Sequence, residues 1–242
     1  MEGIILKYGT IGVKPDRTIS EGSTVEPHFH QAAQFQLSLE GTMTFQTFRL
    51  DAPAVHYTEH NVLYGPFTVS NGHDMLVLHT KPGRVIMMRD KVQRRQANTR
   101  GRGITRCAHE VEWEPLPGDE SARRQVLIPP SAGVSAEIIE CPPHMELSAP
   151  TPAYGRYEVV YRGSVFVDGK QLGPKDSRFV AAGKEAVPLR CGPEGATVIV
   201  RTSAMLSQKL PQRFCRSSAQ PWLAWRFSPL CLSPVNTHEK GG

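Results

Sequence analysis

Shifted by 122 residues, the chain lies on itself without a gap. Phe35-Gln-Leu-Ser-Leu-Glu-Gly41-Thr-Met-Thr-Phe45 falls on Tyr157-Glu-Val-Val-Tyr-Arg-Gly163-Ser-Val-Phe-Val167. Tyr64-Gly-Pro66-Phe67 falls on Ala186-Val-Pro188-Leu189, and Met75-Leu-Val-Leu-His-Thr80 falls on Thr197-Val-Ile-Val-Arg-Thr202. Aromatic and β-branched runs, a turn glycine and a proline recur in register. Chance similarity rarely holds one offset from residue 35 to residue 80. The chain reads as two copies of one unit, so a fold assigned to one half must serve both.

Each copy is a β-unit. Short runs rich in Val, Phe, Tyr and Thr alternate with Gly, Pro and Asp turn signals. Gly41, Asp51-Ala-Pro53, Asn71-Gly72, Asp168-Gly169 and Gly192-Pro193-Glu-Gly195 mark the turns, and Asp168-Gly169 suits a tight hairpin. Helical periodicity is confined to short stretches, with residues 85–97 the best example. Strands at this spacing argue for an all-β sandwich or jelly-roll barrel. The expected organisation is a first barrel over residues 1–90, a basic linker over 91–119, a second barrel over 120–203 and an irregular tail over 204–242. The tail carries Pro211, Pro221, Pro229 and Pro234 with Trp222, Leu223, Trp225 and Phe227, and shows no alternation.

One segment carries the chemistry. His28 and His30 stand two apart in Gly22-Ser-Thr-Val-Glu-Pro-His28-Phe-His30-Gln-Ala-Ala-Gln34. On an extended strand, side chains at i and i+2 share a face, so both imidazoles can converge on one ion. Imidazole suits zinc, copper, iron and nickel. Gln34 is a third donor four residues on, and Gly41 supplies a turn. Downstream, His56, His60 and Tyr64 compete to complete the set. His56 and His60 share parity if the strand runs straight, whereas a Tyr64 phenol suits a hydrogen bond to a bound water or substrate. His73 lies in a Ser-Asn-Gly-His-Asp turn expected to be exposed. His79 ends a strand as an inward-facing polar residue.

These residues resemble the cupin superfamily. Its first motif, Gly-x5-His-x-His-x3-Glu-x6-Gly, is matched from Gly22 through His28 and His30 to Gly41, with Gln34 in place of the glutamate. The duplication is similar to the bicupin arrangement, and the resemblance covers roughly residues 20–80 and 135–202. It implies two tandem double-stranded β-helix barrels. It also implies a divalent metal (Fe, Mn, Ni or Zn) held by His28, His30, Gln34 and His60, with Tyr64 acting on substrate. The family's second motif, Gly-x5-Pro-x-Gly-x2-His-x3-Asn, is poorly kept, and Tyr64 stands where its histidine belongs. An amide oxygen is a neutral donor, so the site would hold a metal less firmly than the family's usual one. The implied activity is a mononuclear dioxygenase acting on a small aromatic or dicarbonyl compound. The alternative is a non-catalytic cupin that binds a small ligand or serves a structural or regulatory role. A homodimer is expected on the same resemblance.

The second copy has lost the motif. His28, His30 and Gln34 fall on Pro150, Pro152 and Arg156, and only His144 lies nearby. Its expected role is to stabilise, dimerise or close the first barrel.

Composition excludes several classes. Hydrophobic content of 39% with 21% charged residues describes a soluble globular chain. No apolar run approaches the roughly 20 residues needed to span a bilayer. The start lacks a basic, then apolar leader, so a cytoplasmic address is expected. Five widely spaced cysteines with no C-x-x-C pair do not form a disulfide framework or a zinc knuckle. The net charge of +5 is concentrated between Lys81 and Arg106, without nucleic-acid-binding spacing or aromatic platforms. A solvated linker or helix face accounts for it best, a basic rim that attracts an anionic substrate or partner is the alternative, and a nucleic-acid partner is not expected. No nucleophile elbow, P-loop or dinucleotide fingerprint is present.

Overall fold

The computed structural model describes residues 4–6, 24–45, 48–70, 72–79, 85–87, 95–148 and 150–203. They lie within one unit, residues 1–208. Every strand pairing is antiparallel. The first half forms two four-stranded sheets. One orders Gly103–Cys107, Ala54–Thr58, Gln34–Glu40 and Asp74–His79, and the other orders Thr24–Val25, Phe67–Val69, Thr42–Phe45 and Phe48–Asp51. His28–His30 pairs separately with Val85–Met87. The second half is one nine-stranded sheet. Its long strands, Asp119–Ser131, Gly155–Val167 and Leu189–Ser203, change register part-way. Such bulges bend a strand and let it continue from one layer into the next.

Alternation sends the two faces of each strand to different cores. On Gln34–Glu40 the odd residues Phe35, Leu37 and Leu39 are buried against Val55, Tyr57 and Leu78. The same cluster takes in Leu127, Ile128, Val134, Ile138, Val159 and Ile199 of the second half, so one apolar seam joins the barrels. The even residues Gln34, Gln36 and Ser38 face into the first barrel and are buried too. That interior is completed by Met43, Phe45, Leu50, Phe67 and Val69. The second barrel has its own core, including Val160, Val165, Leu172, Leu189 and Val198.

The turn signals fold as their chemistry requires. Asp168 and Gly169 both have positive φ (48° and 73°) and close a two-residue hairpin between Val167 and Lys170. Gly41 and its repeat partner Gly163 also have positive φ, at 72° and 70°. A Cβ on Gly41 would lie 2.8 Å from the His73 Cα, and one on Gly163 would strike the Gly195 carbonyl. The repeated glycine therefore answers a repeated close approach of backbone.

Several expectations are corrected. Ile4–Leu6 pairs with Ser177–Val180, so the chain's start adds a strand to the second half's sheet. The stretch read as a linker holds two strands: Gly103–Cys107 extends a sheet of the first barrel, and Glu114–Leu116 pairs within the second. Of the helix expected near residues 85–97, Val85–Met87 is a strand and 95–97 are turns, and residues 88–94 lie outside the described residues. The repeat offset also slips. Gln34 pairs with His79 where its counterpart Arg156 pairs with Thr202, so His79 corresponds to Thr202 and Leu78 to Arg201. One extra residue in the second copy turns every later side chain to the opposite face relative to the ungapped alignment. The tail over 204–242 lies outside the described residues. Among the described residues, no helix is long and apolar enough to cross a membrane.

Candidate functional site

His28 and His30 are both buried on one face of their short strand, with ring centroids 5.3 Å apart. The period-two argument therefore places them correctly. Tyr64 is brought to them by a backbone bridge: His28 N–H donates to the Tyr64 carbonyl at 3.1 Å, and Tyr64 N–H to the His28 carbonyl at 3.0 Å. The phenol then lies between histidine and glutamine side chains. Tyr64 Oη is 2.8 Å from His28 Nε2, and Gln34 and Gln36 point their amide nitrogens at it from 2.7 and 2.8 Å.

The protons can be assigned. His28 Nδ1 lies 2.8 Å from the Glu26 carbonyl, which can only accept, so Nδ1 carries a hydrogen. Burial pulls the His28 pKa down, which keeps the imidazole neutral and makes Nε2 an acceptor. Tyr64 donates its one proton there, and its oxygen accepts from both glutamines. Burial also raises the Tyr64 pKa, so the phenol stays protonated at ordinary pH. The hydroxyl is saturated.

Other polar groups ring this centre. His56, opposite Gln36 in the sheet, has its ring 5.3 Å from that of Tyr64 and its Nδ1 2.8 Å from Thr105 Oγ1. His79, opposite Gln34, has its ring 5.2 Å from that of His30. Burial, helped by His28 and His79, lowers the His30 pKa to about 3. Burial, helped by His28, lowers that of His56 to about 4. Five buried atoms here have no hydrogen-bond partner: His30 Nδ1, Gln34 Oε1, Gln36 Oε1, His56 Nε2 and His79 Nδ1. Among the described residues, the side chains of the site are polar and uncharged, and none is a carboxylate.

His60 does not join it. The strand Ala54–Thr58 ends before it, and the chain turns through Asn61 at φ 59°, leaving His60 exposed. The straight-strand parity that linked it to His56 is broken by that turn. Gln36 is the partner that the sequence reading missed, although period two from Gln34 points to it. His73 is half-buried, with Nε2 3.3 Å from Ser38 Oγ, and is not the exposed turn residue expected.

The expected metal set does not fit this geometry. Both nitrogens of His28 are engaged, the Tyr64 hydroxyl is protonated, and His60 lies elsewhere. Among the described residues, the one trio of His, Cys, Asp or Glu with ligand atoms within 4.8 Å of one another is Cys107, His109 and Glu110. In that trio Glu110 accepts from Cys107 N–H at 3.0 Å, and burial raises the pKa of the Cys107 thiol.

The second barrel fills the same positions with charge. Gln34, Gln36 and His56 correspond by sheet register to Arg156, Glu158 and Arg178. Glu158 is clasped between the two arginines: Arg156 Nε donates to Oε1 at 2.9 Å and Arg178 Nε to Oε2 at 2.7 Å. All three are at least 95% buried. Arg156 Nη1 and Arg178 Nη1 donate to the carbonyls of Pro150 and Val187, at 2.8 and 2.6 Å, and Arg156 Nη2 is buried without a partner. His144 is exposed. Arginine cannot serve as a metal ligand in its charged form, so this interior has become an ion-pair network.

No protein-family model matches the chain, and no curated protein matches it by sequence. Solved structures do match. A candidate dioxygenase from Nostoc punctiforme superposes with a TM-score of 0.60 at 13% identity, over 78% of this chain and 68% of that one. A variant of Bacillus subtilis oxalate decarboxylase gives 0.54 at 11% identity, over 76% and 66%. A Geobacillus kaustophilus protein gives 0.50 at 11% identity, over 78% and 81%. Identities this low speak for the fold and leave the chemistry to the residues. With its duplicated antiparallel barrels and these likenesses, the chain has the two-barrel cupin fold.

Proposed function

We propose that this protein is a non-catalytic small-ligand-binding member of the cupin fold, with a neutral hydrogen-bonding site in the first barrel. One observation carries the reading: the Tyr64 hydroxyl takes the point at which His28 and Gln34 converge, and Gln36 closes the set. The ligand class follows from what is left over. Gln34 and Gln36 each turn an amide nitrogen to Tyr64, which leaves two buried carbonyl oxygens without donors. With no charged side chain among the described residues hydrogen-bonded in the cluster to balance an ion, the matching ligand is uncharged and carries N–H or O–H groups.

A metal-dependent dioxygenase acting on a small aromatic or dicarbonyl compound is the second reading. The observation in its favour is that His30 and His56 stay neutral, each with a buried ring nitrogen unused. Thermal unfolding with Fe(II), Mn(II), Ni(II) or Zn(II) separates the two. The ligand-binding reading expects equal responses from the wild type and from His28→Ala. A saturable stabilisation by one of these ions that is lost in His28→Ala would replace it with the second.

A further inference from the structure

Arg201 sits in the apolar seam between the barrels and is fully buried. It lies on the strand Leu189–Ser203, opposite Tyr157 on one side and Ala136 on the other. Its guanidinium carbon stands 4.4 Å from the centroid of the Phe35 ring, across the seam, and 4.4 Å from that of Tyr157. The two ring faces attract the charge but offer no acceptor to its hydrogens. Nε, Nη1 and Nη2 are all buried without a hydrogen-bond partner. The ionisable groups that act on Arg201 are Tyr157 and Tyr57, and neither is a carboxylate. Burial lowers its pKa to about 10, so it remains a cation at neutral pH.

A buried cation with five N–H groups and nothing to receive them is among the costliest arrangements a core can hold. The second barrel's other buried arginines show the contrast, because Arg156 and Arg178 share Glu158 and reach carbonyls as well. What Arg201 lacks is an anionic acceptor. With ring faces against the guanidinium, the acceptor must meet its edge, where paired N–H groups match a planar carboxylate in a two-point fork.

We propose that Arg201 anchors a binding site for a small planar oxyanion in the seam between the barrels. That oxyanion is either a free anion of formate size or the carboxylate of a larger ligand. The site is separate from the Tyr64 cluster and does not rest on the function proposed for it.

The test is thermal unfolding of the full chain in sodium formate, acetate or benzoate, each against sodium chloride at equal ionic strength. Formate should raise the wild-type midpoint saturably by roughly 3–6 °C, the size expected for ligand well above its dissociation constant. Arg201→Met should remove the response and Arg201→Lys, which keeps charge but not the fork, should reduce it. A response to formate and acetate alone identifies a free small anion, and a stronger one to benzoate identifies a ligand carboxylate. Equal midpoints in formate, acetate, benzoate and chloride would overturn the proposal, as would a formate response that survives in Arg201→Met. If the Met variant does not fold, the wild-type and Lys comparisons still decide.

Discussion

Tyr64 donates its phenolic proton to Nε2 of His28 across 2.8 Å, where the family motif leads one to expect a metal. The same hydroxyl receives the amides of Gln34 and Gln36. Removing it leaves three buried polar groups without a partner, and each such orphan costs about 1–3 kcal/mol before neighbours relax. Tyr64→Phe should therefore lower unfolding free energy by about 2–4 kcal/mol in denaturant titration. A loss below about 0.5 kcal/mol would show that the cluster contributes little to stability.

The buried imidazoles set a pH dependence. In the unfolded chain they take protons near pH 6.5, whereas in the fold His56 holds out to about 4 and His30 to about 3. Between those values the unfolded state binds more protons, so stability rises with pH. It is complete above about 6.5 and is lost progressively as pH falls toward 4 and then 3. The denaturant midpoint should drop steadily between pH 7 and pH 4.5. A smaller drop is expected in His56→Gln, and an unchanged slope in that variant would contradict the assignment.

Glu158 neutralises one of the two arginines that clasp it, and breaking a buried pair by removing one partner costs about 3–5 kcal/mol. Glu158→Gln should destabilise the protein by that order, with little sensitivity to salt because the groups are shielded from it. A neutral outcome would mean that water or a counter-ion already reaches the two guanidinium groups.

Much of this was legible in the sequence, for reasons tied to local geometry. The positive-φ turns at Gly41, Gly163 and Asp168-Gly169 and the shared face of His28 and His30 follow from near-neighbour rules, which composition and spacing carry. Long-range relations do not. The strand Ile4–Leu6 joins a sheet built some 170 residues later in the chain, and nothing within three residues encodes its partner. His60 kept the right parity only for a strand that continued past Thr58. The Arg156, Glu158 and Arg178 network stayed hidden because register, not spacing, sets Glu158 opposite Arg178. Gln36 was passed over because an amide is not a metal ligand by habit, yet it holds the phenol as closely as Gln34 does. The one-residue slip that pairs Thr202 rather than Arg201 with Arg156 turned a seam cation into an apparent counterpart of His79.

If a protonated tyrosine organises the first barrel in place of an ion, purified protein carries no stoichiometric metal. Elemental mass spectrometry of untagged protein, purified without chelators and dialysed against metal-free buffer, tests it most directly. The expected content is well under about 0.1 equivalent of iron, manganese, nickel, copper or zinc per chain, on the order of adventitious binding. About one equivalent of a single metal, retained through dialysis and lost in His28→Ala, would contradict it.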